Sequence, residues 1–397
     1  MFVLLNPHIS DFISEPLAFK FVKRRALKKY GYLIDEAVAA WGSVDVLADA
    51  GASGLVPVKY YNMLPLFARK IITRLEIKYW IRRNNYGDKV KVHFSAATLP
   101  DKSTLVLFAY KNYKNPASLI KTCSHFNKNI VHLSHYHGDT KLQSDTLRQI
   151  RNVYLAADAD VADAILFKKF FSWYQRKIVL FTFDVAARFK KNVPIGQRKP
   201  MAVATGTFHY IKEAVEEGTN KTLVDFYEST GARAMHPLRR TLYENKDLYT
   251  NEITCLCSPY IEKKVNVFSS LLPQQLFAAQ KKYFSFDIVE KYNEYRFAIV
   301  GEEYYNGLPG IGAFEAMACG TVLLAYPECY KGTGLMEGVH YIGHDNELKQ
   351  IQSLINTEKE HIDKLEHISE NAVKWVADNM QAKNIFNRLL NQLNELE

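Results

Sequence analysis

The sequence has few of the features that mark secreted or membrane-spanning proteins. It contains five cysteines, an odd number without regular spacing, which argues against a disulfide framework. No apolar run approaches the roughly 20 residues that a membrane-spanning helix needs, and runs such as Ile178–Phe183 have the length of a strand. The N-terminal residues lack the basic region of a signal peptide and reach Asn6-Pro7 after a short apolar run. We therefore expect a cytoplasmic protein.

Low-complexity segments and long internal repeats are also absent. Cys255 and Cys257 alternate along a predicted strand, and Cys319 lies in a run of small residues. We interpret these cysteines as buried structural thiols rather than as metal ligands or redox groups.

The remaining composition is typical of a globular protein with two domains. A chain of 397 residues is too long for one ordinary core, and its 48% apolar and 13% aromatic content gives no sign of disorder. In the first half, short β-type runs alternate with helical stretches, which favours a parallel sheet covered on both faces. The predicted strands of this half are Phe2–Leu5, Val44–Ala48, Val90–Phe94, Thr104–Tyr110, Asn129–Ser134, Asn152–Ala156 and Ile178–Phe183.

The same alternation restarts after a polar segment, 192–200, which contains proline and glycine and is the best candidate for a linker. The stretch from Glu347 onward is compatible with helix throughout. We predict an N-terminal domain at 1–195, a C-terminal domain at 196–375, and a last helix at 376–397 that packs back toward the N-terminal domain. The predicted strands of the second half are Met201–Ala204, Ile253–Cys257, Phe297–Val300, Thr321–Ala325 and His340–Ile342.

The net charge of +9 predicts an anionic partner such as phosphate, nucleic acid or an acidic lipid surface. Two segments, 19–33 and 66–86, concentrate Lys and Arg among aromatic and aliphatic residues, and in the second Phe67, Ile71 and Leu75 recur at helical spacing. Basic amphipathic helices of this kind contact anionic membranes, here the inner face of the cytoplasmic membrane. A surface helix that packs its apolar side on a sheet fits the pattern equally well, so both interpretations stay open.

The segment 306–324, NGLPGIGAFEAMACGTVLL, places a glycine-rich loop between two predicted strands. Gly310 and Gly312 allow backbone N–H groups to point toward a ligand, and a helix beginning near Ala313 adds partial positive charge, so the loop can hold a phosphate. Glu315, in the first turn of that helix, is a candidate partner for a ribose hydroxyl. The alternative is a tight turn in which Glu315 only complements the helix dipole.

A second informative motif is HPLRRTLYE. His236 and Pro237 predict the N-cap and first turn of a helix. Arg239 and Arg240 follow at the end of that turn, where cations oppose the helix dipole, so an anion such as a pyrophosphate is expected between them and the helix end. The alternative is that Glu244 and neighbouring acids pair with both arginines at the surface.

The segment HLSHYHGD, residues 132–139, brings three histidines and an aspartate to the end of a predicted strand. Their spacing matches no established zinc motif. A general base, or a hydrogen-bond donor to a sugar or phosphate, fits better. His135 and His137 alternate and would share one face, so we assign both to the ligand cleft, and a structural role for either stays open.

The glycine-rich motif resembles a known enzyme signature. GLPGIGAFEAMACGTVLLA resembles the C-terminal signature of the group 1 glycosyltransferases, which have the GT-B fold, and EAMACGTVLLA carries most of the likeness. NIVHLSHYHGDT resembles the N-domain strand that ends in a cleft-facing histidine. MAVATGTFHYIKE resembles the first C-domain strand and its phosphate-facing loop, here with Gly206 and His209. KIVLFTFDVAARF resembles the segment that closes the N-domain, with Asp184 and Phe189, whereas residues 1–120 match only in fold.

The resemblance implies an α/β protein of GT-B fold, with two Rossmann-like domains facing each other across a cleft. A nucleotide-sugar would bind mainly to the C-terminal domain and a glycan or glycolipid acceptor would enter from the N-terminal side, in the synthesis of a bacterial surface polysaccharide. Neither a metal, nor another cofactor, nor a nucleic acid is expected. With the motifs above, the residues assigned to the donor are Gly206, His209, His236, Arg239, Arg240, Gly310, Ile311, Gly312 and Glu315.

One departure from the family concerns its paired glutamates, which have seven residues between them. Counting back from Glu315, the first of the pair corresponds to Gly307, which has no side chain. The nearest upstream acids are Glu302 and Glu303, and we assign Glu303 to the donor sugar. The residues assigned to catalysis are His135, His137 and Glu303. The resemblance implies a retaining transferase, while the altered spacing leaves inversion open.

Two alternatives complete the set. Asp158 and Asp160 superficially match the metal-binding acid pair of the GT-A fold, but capping aspartates explain them more simply. The competing function is a non-catalytic nucleotide- or nucleic-acid-binding protein that uses the same folds. The sequence contains no stacking-aromatic RNA motif, zinc module or recognition helix.

Overall fold

The computed structural model divides the chain into two compact units. One comprises Met1–Ala157, Phe170–Val179 and Leu389–Glu397, and the other comprises Asp158–Lys169 and Leu180–Arg388. The structure describes every residue except 11, 14–27, 57, 100–103, 109, 134–139, 209, 211–224, 227–228, 231–233, 235, 260–285 and 397.

The first half of the chain supplies one parallel sheet. Its strands are β1 Phe2–Leu5, β2 Val44–Leu47, β3 Val90–His93, β4 Thr104–Leu107, β5 Lys128–His132, β6 Val153–Ala157 and β7 Val179–Leu180. They lie in the order β3-β2-β1-β4-β5-β6-β7, and β1 pairs in parallel with both β2 and β4. All seven strands predicted from the apolar runs are present, with ends shifted by a few residues. Strand β6 is buried along its whole length, as expected where helices cover both faces of a parallel sheet.

Helices connect these strands. They are α1 Tyr32–Trp41, α2 Val58–Met63, α3 Leu66–Asn84, α4 Pro116–Cys123, α5 Thr140–Leu147 and α6 Ile165–Phe170, with short 3₁₀ turns at Pro7–Ile9, Gly87–Lys89, Ala96–Thr98 and Tyr110–Lys114. Helix α4 shows how the sequence sets a boundary. Pro116 occupies the first turn, where no N–H is needed, and the side chain of Asn115 caps the helix by accepting from the N–H of Ser118.

The second half forms another parallel sheet. Its strands are β8 Lys199–Ala204, β9 Thr207–Phe208, β10 Ile253–Cys255, β11 Ser258–Pro259, β12 Tyr295–Ile299, β13 Val322–Ala325 and β14 Ile342–Gly343. Five of them lie in the order β10-β8-β12-β13-β14, while β11 and β9 form a separate parallel pair. The helices are α7 Pro237–Glu244, α8 Ile288–Glu294, α9 Ile311–Ala318, α10 Leu348–Glu358, α11 Ile362–Asn379 and α12 Ala382–Glu395, with 3₁₀ turns at Ile195–Gln197, Lys246–Leu248 and Pro327–Tyr330.

The strand order defines where a ligand can bind. From β8 the chain extends the sheet on one side through β10, and from β12 it extends the other side through β13 and β14. Such a reversal leaves a crevice at the carboxyl ends of the two central strands, and open parallel sheets bind ligands there. A ligand site is therefore expected at the carboxyl ends of β8 and β12.

The polar segment 192–200 is partly packed inside the second unit. Ile195 is fully buried in the core of that unit, and Arg198 is 3% exposed. Lys199 begins β8, so the end of the stretch is already part of the sheet.

A buried histidine in the first unit makes its stability depend on pH. Burial, with a smaller contribution from Lys111, lowers the pKa of His8 from 6.5 to about 3. Between these two pKa values His8 is protonated in the unfolded chain and neutral in the folded chain. The free energy of unfolding therefore falls as the pH drops below 6.5. We expect the wild type to lose about 1.4 kcal/mol of unfolding free energy per pH unit more than His8→Gln, measured by urea denaturation between pH 6.5 and about 5. Equal slopes for the two proteins would contradict this.

Candidate functional site

Arg239 lies at the carboxyl ends of the central strands of the second sheet. It is the third residue of α7, which begins as predicted with His236 at the N-cap and Pro237 in the first turn. Its Nε donates to the carbonyl of Val300, just after β12, at 2.7 Å, and its Nη1 donates to the carbonyl of Thr207 at 2.8 Å. The carbonyl just after β12 and the carbonyl at the start of β9, three residues past the end of β8, thus fix the guanidinium near the reversal in strand order.

Three glycines leave the space that this arginine occupies. A Cβ at Gly206 would lie 2.5 Å from Nε of Arg239, and one at Gly301 would lie 2.7 Å from its Cγ. A Cβ at Gly310 would lie 3.4 Å from its Nη2. Because real Cβ atoms do not approach other atoms as closely as the first two values, Gly206 and Gly301 are required for this position of Arg239. The third distance puts Nη2 beside the start of α9.

The start of α9 has no side-chain cap. Gly310 is its N-cap residue and offers no side chain. The helix packs closely on its neighbours, because a Cβ at Gly310 would lie 2.9 Å from Cγ1 of Val300, just after β12, and one at Gly312 would lie 2.7 Å from the hydroxyl of Tyr292 in α8. The first N–H groups of a helix have no intrahelical partner and carry partial positive charge. Arg239 and this helix end together form a positive cradle within one crevice.

Glu315 occupies a different place from the one expected. Helix α9 begins at Ile311, not near Ala313, so Glu315 is the fifth helical residue and lies beyond the first turn. The interpretation that it only complements the helix dipole is weakened, because that effect falls off within the first turn. Ile311 and Glu315 are four residues apart and both half-buried, so they share the side of the helix that does not pack on the sheet.

Arg240 lies apart from Arg239. Its Nε donates to Oε1 of Glu244 at 2.7 Å, and its guanidinium lies over the ring of Tyr210 at 5.5 Å. The surface pairing with Glu244 that the sequence left open is therefore present for Arg240 alone. The two guanidiniums do not act as a pair.

The loop before α9 explains the missing glutamate of the family pattern. Glu303 and Leu308 pair through their backbones, with N···O distances of 3.0 and 3.4 Å, and Oε2 of Glu303 accepts from the side chain of Asn306 at 2.8 Å. Gly307 has φ +66°, a conformation that side chains disfavour, and a Cβ there would lie 2.8 Å from Cβ of Ala164. Any side chain at Gly307, the position that corresponds to the first glutamate, would be strained.

A neighbouring carboxylate, Glu302, is buried in the same loop. It is 3% exposed, and its Oε1 accepts from the N–H of Tyr326 at 3.2 Å and from the hydroxyl of Tyr330 at 3.0 Å. Burial and this carboxylate raise the pKa of Tyr330 well above its usual value. Glu302 therefore joins the loop after β12 to the segment after β13.

The histidines predicted for the cleft lie mostly outside the described residues. This applies to His135, His137 and His209. His132 is described and belongs to an aromatic cluster, with its ring centroid 5.0 Å from that of Phe108 and 4.6 Å from that of Tyr30. His132 therefore packs as part of the core of the first unit.

Asp160 and the cysteines are not part of a metal-binding cluster among the described residues. Oδ1 of Asp160 accepts from the N–H of Ala162 at 3.1 Å, which closes a turn ahead of α6 and is not the helix cap that the sequence suggested, since α6 begins at Ile165. All five cysteines are free, and four are buried. Burial raises the pKa of both Cys123 and Cys319 to about 12, so these thiols stay protonated at neutral pH.

The sequence missed part of the cradle. Gly301 and the carbonyls of Val300 and Thr207 are as close to Arg239 as any predicted residue. A glycine directly after an apolar run, as in RFAIVG, was the available signal. The carbonyls could not be found from sequence, because every residue has one.

The two parallel sheets and the strand reversal with its cradle have the architecture of the GT-B glycosyltransferase fold. Two solved structures show this. Sucrose-phosphate synthase from Thermosynechococcus elongatus covers 100% of this chain and 98% of its own, with a TM-score of 0.52 and 10% identity. Anabaena Alr3699/HepE, solved in complex with UDP and glucose, covers 100% of this chain and 99% of its own, with a TM-score of 0.51 and 13% identity.

The expected α/β, GT-B fold class is thereby confirmed. No protein-family model and no curated protein sequence matches the chain. Identities of 10% and 13% establish a shared fold and no more.

Proposed function

We propose that this protein is a glycosyltransferase that moves a sugar from a nucleotide-sugar to a hydroxyl of a glycan or glycolipid. The observation that carries the proposal is the position of Arg239, fixed between two strand ends with Nη2 beside the uncapped start of α9. A guanidinium and a helix N-terminus in one crevice favour a diphosphate. The GT-B fold, and the UDP bound in the HepE structure, support the same class of donor.

In this reaction the acceptor oxygen bonds to the anomeric carbon while the bond from that carbon to the diphosphate oxygen breaks. The acceptor proton passes to a general base, for which His135 and His137 remain the candidates. The nucleoside diphosphate leaves with added negative charge, which Arg239 and the N–H groups of Ile311 and Gly312 stabilise. Positioning and charge stabilisation supply the catalysis, so we propose that no metal is required.

The finer assignments are part of the same proposal. We assign Glu315 to the ribose and Glu303, held by Asn306, to the donor sugar. Retention of anomeric configuration, an acceptor in bacterial surface polysaccharide synthesis and a cytoplasmic location rest on the resemblance and on the composition.

The donor class is tested by thermal unfolding with a panel of UDP-, GDP- and CMP-sugars, with single-stranded DNA as the comparison. We expect at least one nucleotide-sugar to raise Tm more than the oligonucleotide does, and the rise to persist in EDTA. Stabilisation by the oligonucleotide alone would favour the non-catalytic nucleic-acid-binding alternative.

Loss of the Glu315 carboxylate should weaken donor binding. We expect Glu315→Ala to reduce nucleotide-sugar affinity by about 1–3 kcal/mol, the scale of a charged hydrogen bond, as measured by calorimetric titration. Glu370→Ala, which removes an exposed carboxylate from α11, is the matched control and should bind as the wild type does. Unchanged affinity in Glu315→Ala would remove this residue from the site.

A further inference from the structure

Exposed apolar side chains of the first unit are concentrated around α2 and α3. Twelve large hydrophobic residues are exposed in the described part of the chain, and seven of them lie between residues 55 and 75. Such a concentration marks an interaction surface, whereas scattered exposed hydrophobics are ordinary. We name it the α2–α3 face, and its residues are Leu55, Tyr60, Met63, Leu66, Phe67, Ile71 and Leu75.

Helix α3 turns its apolar row outward. Phe67, Ile71 and Leu75, spaced four residues apart, are 68%, 54% and 63% exposed. The buried side of the helix carries Thr73, Glu76, Ile77 and Trp80 instead. The sequence left open whether the apolar row packs on a sheet, and in this structure it does not.

The buried side of α3 fixes this orientation. Both carboxylate oxygens of Glu76 accept hydrogen bonds from the loop after β2, including those from the N–H of Leu55 at 3.0 Å and the N–H of Gly54 at 3.2 Å. Thr73 bonds to the hydroxyl of Tyr61 at 3.1 Å. Rotating the helix to bury its apolar row would break these bonds and leave the N–H groups of Gly54 and Leu55 without their acceptor, which is costly.

The charge on α3 is of one sign. Glu76 is the only acidic residue of α3 and is buried, so every charged residue on the solvent-facing side of the helix is basic. Its basic residues are Arg69, Lys70, Arg74, Lys78, Arg82 and Arg83. Apolar side chains flanked by Lys and Arg, without acids, complement a surface of anionic headgroups over acyl chains.

Other occupants fit less well. A second copy of the chain would bring two basic helices together, and like charges across an interface oppose association. A nucleic acid would use the positive charge and could stack on Tyr60 and Phe67, but it would leave the aliphatic side chains that make up most of the face in contact with water. No helix among the described residues has the length and apolarity to cross a bilayer, so the contact would be peripheral.

We propose that the α2–α3 face docks on an anionic lipid bilayer. Phe67, Ile71 and Leu75 enter the boundary between headgroups and acyl chains, while Lys70 and Arg74 contact lipid phosphates. Of the other basic segment, 19–33, residues 19–27 lie outside the described part of the chain.

Vesicle co-sedimentation tests the apolar contribution. The full chain is expected to bind vesicles containing phosphatidylglycerol and to bind phosphatidylcholine vesicles weakly. The triple variant Phe67→Ser, Ile71→Ser, Leu75→Ser should reduce binding to the anionic vesicles by at least about tenfold. The matched control replaces Leu248 and Met336, exposed apolar residues of the second unit, by serine and should bind normally.

A second variant tests the charge. Lys70→Glu, Arg74→Glu should lower binding by roughly tenfold or more and reduce its dependence on salt. The proposal is overturned if the full chain does not bind anionic vesicles or if either variant binds them as well as the control does. Displacement of the protein from the vesicles by RNA would also overturn it. A dimer in light scattering that the triple variant abolishes would assign the face to a second copy. Each readout is independent of donor binding, so the proposed transferase activity can fail without affecting this result.

Discussion

Arg239→Ala is expected to lower kcat/KM for the nucleotide-sugar by about two to three orders of magnitude, the cost of removing one main donor of charge stabilisation. The guanidinium is held at 2.7 and 2.8 Å from two carbonyls and lies beside an uncapped helix start, so it is already in place when the leaving group gains charge. The loss should fall mainly on kcat, because that charge develops in the transition state. Steady-state kinetics with the donor identified by thermal unfolding gives the measurement.

Arg239 also joins two strand ends, so a structural effect has to be separated from a catalytic one. Added guanidinium ion should restore part of the activity of Arg239→Ala, which a merely misfolded protein would not show. Arg240→Ala removes a guanidinium from the same helix and should change kcat/KM little, because Arg240 pairs with Glu244. If Arg239→Ala folds normally and retains full kcat/KM, the residue has no role in the reaction.

The largest expected effect on stability is at Arg198. It is 3% exposed, and its Nε donates to the carbonyl of Val193 at 2.9 Å. Its Nη1 donates to the carbonyl of Tyr292 at 3.0 Å and to the hydroxyl of Thr321 at 3.1 Å, and its Nη2 to the carbonyl of Cys319 at 2.8 Å. Burial lowers the pKa of this guanidinium to about 10, so it remains charged at neutral pH.

Arg198→Leu removes the guanidinium donor from the carbonyls of Val193 and Cys319 and from the hydroxyl of Thr321, while the carbonyl of Tyr292 still accepts from that hydroxyl. We expect it to lower the free energy of unfolding by about 3–5 kcal/mol, because several buried neutral acceptors lose a charged donor at about 1–3 kcal/mol each. Lys199→Leu is the control at the next position: its side chain is 54% exposed and pairs with Glu294, so the change should be within about 1 kcal/mol. Equal denaturation midpoints for the two variants would show that the Arg198 bonds contribute little.

The sequence predicted the strands and the main motifs well, because those features depend on local patterns. Apolar runs located each predicted strand, and His236 with Pro237 located the start of α7. The start of α9 was placed two residues late, since Gly310 and Gly312 disfavour helix by propensity and are retained for close packing on Val300 and Tyr292.

Features that depend on tertiary contacts could not be predicted. Arg239 and Arg240 are adjacent in sequence, but only the order of the strands decides which of them reaches the sheet. In the sequence Gly307 shows only that a glutamate is missing, whereas the structure shows that its positive φ and the nearby Ala164 disfavour a side chain there. In α3 the spacing revealed an apolar row, and burial alone could show that the row faces outward.

We propose that Arg239 and the start of α9 hold the diphosphate of a nucleotide-sugar. A crystal structure of the protein with bound UDP would locate that diphosphate. We predict that the diphosphate lies within about 3 Å of Nη2 of Arg239 and of the N–H groups of Ile311 and Gly312. A structure with UDP bound elsewhere, or with its diphosphate directed away from the start of α9, would contradict the account.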